Sequence, residues 1–254
     1  MTTTAPDQLL WWADDALIAA QRLAYWCARA PELEEDVALT NVALDQLGVA
    51  RLLLTYAAQR LPASAVSAAP ASAPLTEDTL AYLRTDHEFR NSLLVELPER
   101  DFAVTIGKLL FLSAYQVQLY RALGDSRDER LAAIAAKASK ESAYHLDHAT
   151  LWTVRLGDGT DESHRRMQDA VDELWPYTHE LFEPPTDPAG AVDPAALRSA
   201  WSAAVEPVLA DATLRRPDDD WRPAGGRQGR HTEHLSYLLA EMQVVHRAYP
   251  GAQW

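Results

Sequence analysis

Cysteine is nearly absent. Cys27 stands alone in 254 residues, so no intrachain disulfide is available, which suits a reducing, cytoplasmic setting. Positive charge is also scarce: 23 Lys and Arg against 37 Asp and Glu leave a net charge of −14. Phosphate contacts dominate nucleic-acid affinity, so a chain this acidic is not expected to bind nucleic acid generally. The opening MTTTAPDQ has no basic stretch ahead of an apolar core, and no signal peptide is expected. The best apolar run there, LLWWADDALIAA, is broken by Asp14 and Asp15 and is too short for a bilayer. Sustained strand alternation is missing, and with it any glycine-rich phosphate loop after a strand. No fixed-period repeat suggests a solenoid.

Apolar residues make up 48%, ample for a core in one domain spanning residues 1–254. Helical periodicity dominates. It predicts core helices over about 8–28, 32–61, 101–123 and 127–156. Further helices are expected over about 162–181 (bent at Pro176), 194–210 and 232–247. Shorter helical pieces are expected near 78–84 and 86–97. LPASAVSAAPASAPLTED reads as a surface linker. The fold class is all-α, a ferritin-like four-helix bundle with additional C-terminal helices. The segment 61–100 supplies the long crossover that the middle pair of a ferritin-like bundle requires.

Such bundles often hold two irons. One helix of each pair gives a Glu and the other gives Glu-x-x-His, a spacing that puts both side chains on one face. Hard oxygen ligands balance the metal charge. KESAYHLDHA, residues 140–149, has this flavour.

The stretches RLAYWCARAPELEEDVAL, DQLGVARLLL, FRNSLLVELPERDFA, RLGDGTD, GGRQGRHTEHL and LAEMQVVHRAYPGAQW resemble the C subunits of multicomponent phenylacetyl-CoA epoxidases over nearly the whole length. That resemblance implies a ferritin-like structural subunit without a functional metal site. It further implies a di-iron catalytic A subunit that pairs with this one, the pair associating again, and a small B subunit. A reductase using NADPH, flavin and an iron–sulfur centre completes the set. The complex would add one oxygen atom of O₂ across the ring of phenylacetyl-CoA, and this chain itself would hold no cofactor.

The ligand positions agree with that implication. Asp45-Gln46-Leu47-Gly48 fills one Glu-x-x-His slot, with a shortened carboxylate at Asp45 and no histidine at Gly48. Ser142-Ala143-Tyr144-His145 fills the other, with the histidine kept and the carboxylate replaced by Ser142. Glu141 is adjacent but rotated by about 100°. Ser113 and Asp15 take the two single-Glu positions by spacing. His145 is expected to hydrogen-bond Asp45 or Glu141. The alternative is an independent metalloenzyme with an atypical site of Asp45, Glu141, His145 and His148.

Between Arg215 and Arg230 lie five arginines: RRPDDDWRPAGGRQGR. Arg222, Arg227, Arg230 and His231 are candidate contacts to a partner subunit or to the CoA phosphates, because the loop runs into a helix N-terminus. On that reading replacing Arg227 and Arg230 by Ala leaves the thermal stability of the isolated fold nearly unchanged. His231-Thr232-Glu233-His234 looks like a metal cluster but also reads as a cap, with Thr232 at N-cap. Trp254 closes the chain and is expected to anchor against the bundle or a partner.

Overall fold

A computed structural model describes residues 4–69, 74–184, 192–250 and 252; Trp254 lies outside them. The protein is helical, with no strand among the described residues. Helices α1 (Pro6–Leu23) and α2 (Leu33–Ala58) form one packed pair, and α5 (Phe102–Gly124) and α6 (Glu129–Gly157) form the other. The long crossover between the pairs contains two short helices, α3 (Glu77–Tyr82) and α4 (Leu93–Glu96). Beyond them come α7 (Asp161–Leu174), α8 (Arg198–Asp211) and α9 (Glu233–Ala248). This is the ferritin-like arrangement of the all-α class.

Local signals explain several helix starts. Pro6 opens α1 at a position where a missing N–H costs nothing. Asp101 and Asp128 cap α5 and α6 by accepting from Val104 N and Leu131 N. Thr160 and Ser163 form a reciprocal cap on α7. Pairs such as Arg60–Asp128 and Asp45–His145 run in opposite sequence directions, so α2 and α6 lie antiparallel.

The helices differ in how they are buried. α1 is enclosed on every side from Gln8 to Ala20, and α5 from Ala103 to Val117. Both sit at the centre. α2 and α6 are half-covered outer helices. By length and composition α2 and α5 are each apolar enough to cross a membrane. For α5 the fold explains this, since 89% of its apolar window is buried; for α2 the figure is 44%. At the far side of α5, Phe111, Trp175 and Trp201 pack with centroids 5.5 to 5.9 Å apart. Trp201 donates its indole N–H to Phe111 O at 2.9 Å.

Two expected helices are cut short. α7 stops at Leu174, and Trp175–Phe182 tightens into a 3₁₀ helix, because Pro176 has no N–H to continue the α ladder. Residues 86–97 form only the single turns Asp86–Glu88 and Leu93–Glu96. Their backbone donors are used elsewhere: Arg90 N reaches Asp14 at 2.8 Å, Ser92 N reaches Asp15 at 2.7 Å, and Leu93 N reaches Glu180 at 2.7 Å. Buried carboxylates hold this segment out of helix.

Candidate functional site

Of the positions a ferritin-like bundle would use for metal, Asp45 and His145 pair with each other and Asp15 pairs with Arg227. Asp15, on α1, is buried and accepts from Ser92 N and from Arg227 Nη2 at 2.7 Å. Burial pushes its carboxyl above the ordinary aspartate range, against the pull of Arg227 and Ser92. On α2, Asp45 keeps 40% of its side chain exposed, and its Oδ2 lies 3.0 Å from His145 Nε2 of α6. Of the two partners expected for His145, Asp45 is the one reached. Burial holds the imidazole below its usual value even with Asp45 beside it.

Gly48 leaves a gap on α2 where a ligand imidazole would stand. A methyl at that position would lie 3.9 Å from Lys137 Nζ. The Lys137 ammonium also pairs with Glu141 at 2.8 Å, which raises its pKa. Ser142 is buried, and Ser113 is buried with its hydroxyl turned back onto Leu109 O. His148 lies 3.2 Å from Glu35, off the line a hydrogen bond needs. Among the described residues no group of three or more His, Cys, Asp and Glu side chains converges as it would around a metal ion. The residues present do not fit a di-iron centre: Gly48, Ser113 and Ser142 offer no Glu or His, and the carboxylates Asp15 and Asp45 are engaged by a guanidinium and an imidazole.

Off the ligand positions, the same interior holds a polar pair. Gln46 and Gln116 exchange reciprocal amide hydrogen bonds at 2.7 and 2.8 Å, both buried. Their only sequence signal is an amide on an otherwise apolar helix face.

The arginine loop is not the exposed arm its composition suggests. Arg227 is only 3% exposed, and besides Asp15 it donates to Trp11 O and Arg90 O, each at 3.0 Å. It is unavailable to a partner or a phosphate. The loop lies close because Gly226 abuts Asn91 O and Gly229 adopts φ +76° against His87 O, where a side chain would overlap the carbonyl. Glu180 fastens the loop from within, accepting from Gly225 N at 2.8 Å and Arg227 N at 3.3 Å. Arg222 and Arg230 remain exposed.

His231 also turns inward. Its Nδ1 faces Glu96 Oε2 at 2.7 Å and its Nε2 faces Phe89 O at 3.1 Å. Both partners offer acceptor oxygens, an arrangement that favours the doubly protonated ring. Burial alone would lower its pKa, but Glu96 and Phe89 O raise it above the ordinary value. Glu96 also accepts from Thr232 N at 2.6 Å, filling the N-terminus of α9 with a carboxylate. The cap is therefore Glu96 and not the Thr232 hydroxyl, which makes no capping bond. No phosphate fits there.

A family model described as "Phenylacetic acid catabolic protein" matches residues 1–254. The C subunit of the 1,2-phenylacetyl-CoA epoxidase of Escherichia coli (strain K12) is 45% identical over 247 residues, covering 95% of each chain. With the helical fold and the bundle geometry above, these matches show that the chain belongs to the phenylacetic acid catabolic protein family.

Proposed function

We propose that this chain is a non-catalytic structural subunit of a multicomponent monooxygenase that epoxidises the ring of phenylacetyl-CoA. The single observation that carries the reading is that the two carboxylates at ligand positions are already paired within the protein, Asp15 with the Arg227 guanidinium and Asp45 with the His145 imidazole. The name of the Escherichia coli relative supplies the class of complex. The iron pair belongs to a catalytic partner subunit. Electrons reach that subunit from NADPH through a flavin and iron–sulfur reductase, and a small third subunit joins the assembly. This chain contributes interface and shape.

Reconstitution tests the reading. The catalytic subunit is expected to epoxidise phenylacetyl-CoA only when this chain and the reductase are present, while this chain with the reductase alone does nothing. Turnover by this chain with reductase, in the absence of the catalytic subunit, would contradict it. The exposed Arg222 and Arg230 remain contacts for the CoA phosphates or for a neighbouring subunit. Replacing both with Ala raises KM with assembly intact in the first case and weakens assembly in the second.

A further inference from the structure

The outward side of α2 is not finished as a water-facing surface. Leu33, Val37, Leu44 and Leu52 recur at helical spacing on one face, and Leu33 is 77% exposed. Beside them α6 adds Tyr144 and Leu151, two turns apart and 75% and 72% exposed. On the other flank of α2 an apolar groove of about 250 Å³ is lined by Leu17, Ala20, Ala43, Leu47, Tyr82 and Met242. Single exposed leucines are ordinary, whereas several on one helix face beside a groove mark a contact surface. The seam beneath adds an independent sign. Glu141 Oε2 is buried with no hydrogen-bond partner among the described residues, and Glu35 Oε2 and His148 Nε2 are buried 3.2 Å apart without a hydrogen bond between them, a costly state for carboxylate oxygens unless donors arrive from outside.

We infer that the α2–α6 face docks the catalytic subunit, and that the docked surface is helical, with apolar residues for Leu33, Leu44, Tyr144 and Leu151 and Lys or Arg donors for Glu35 and Glu141. This rests on the functional reading above. A second copy of this chain fits poorly, because two chains of net charge −14 repel. A lipid surface fits poorly too, since Asp45, Lys137 and Glu141 stand between the apolar residues and would lose water without gaining partners.

The test is co-expression with the catalytic subunit, comparing wild type, the double variant Leu44→Glu/Tyr144→Glu, and a control, Tyr237→Glu/Val244→Glu, on exposed positions of α9. Wild type and control are expected to co-elute with the partner. The α2–α6 variant is expected to bind at least roughly 30-fold more weakly, the size of a hot-spot loss, with helicity and melting midpoint unchanged. Normal binding by the α2–α6 variant, or loss confined to the α9 control, overturns the assignment of the face and leaves the functional reading standing. A wild-type chain that elutes apart from the catalytic subunit overturns that reading and this inference together. If the same substitutions instead split a dimer of the isolated chain, or abolish flotation with anionic phospholipid vesicles, the occupant is not the catalytic subunit and the inference fails.

Discussion

Asp15 and Arg227 are both almost wholly enclosed, and each is the other's counter-charge. Removing one partner of such a pair strands the other, a loss of about 3–5 kcal/mol in comparable cases. Arg227→Ala should therefore lower stability by that order in a urea titration, although the loop's composition alone suggests no effect. The double replacement Asp15→Leu/Arg227→Met should recover much of the loss, because an apolar pair of similar volume leaves no charge unmet. The Gln46–Gln116 pair obeys the same logic with neutral groups. Gln46→Leu leaves the Gln116 amide unsatisfied and costs about 1–3 kcal/mol, whereas the double Leu variant is expected to lie closer to wild type. A double-mutant cycle on melting midpoints reads both.

At the scale of elements, the loop 225–232 and the segment 84–96 act as one clamp across α1 and the start of α9. Glu96 and His231 are its titratable part. Because the folded His231 pKa lies above its unfolded value, its contribution is fully present below about pH 6.5. It is lost as pH rises through the folded value, by at most about 1.4 kcal/mol per pH unit. His145 runs the other way: its folded value is lowered, so its contribution holds above about pH 6.5 and declines as pH falls below it. Melting curves of wild type and His231→Asn across neutral to alkaline pH should converge as pH rises; a constant gap would contradict the linkage of His231 titration to folding. The helices of this region mark the limit of what periodicity can reveal. α5 and α6 are legible in the sequence because apolar spacing and aspartate caps agree along them. Residues 86–97 carry an equally helical pattern, yet their N–H groups are claimed by Asp14, Asp15 and Glu180, which are distant in sequence. Arg227 misleads for the same reason. A local window sees glycines and charge, and it cannot see a carboxylate 212 residues away.

At the scale of the whole molecule, the carboxylates Asp15 and Asp45 find their partners, Arg227 and His145, within the protein. The lack of Glu and His ligands at Gly48, Ser113 and Ser142 can be read from the sequence, because residue type alone excludes ligation there. The pairing of Asp15 cannot, since Arg227 lies off the ligand pattern. The central claim is that the fold neither needs nor accommodates the iron pair. Its most direct test is an anaerobic ferrous-iron titration of the purified chain followed by scanning calorimetry. The account predicts no stoichiometric uptake and a melting midpoint unmoved by iron or by chelator. Two equivalents of tightly bound iron with a raised midpoint would contradict it.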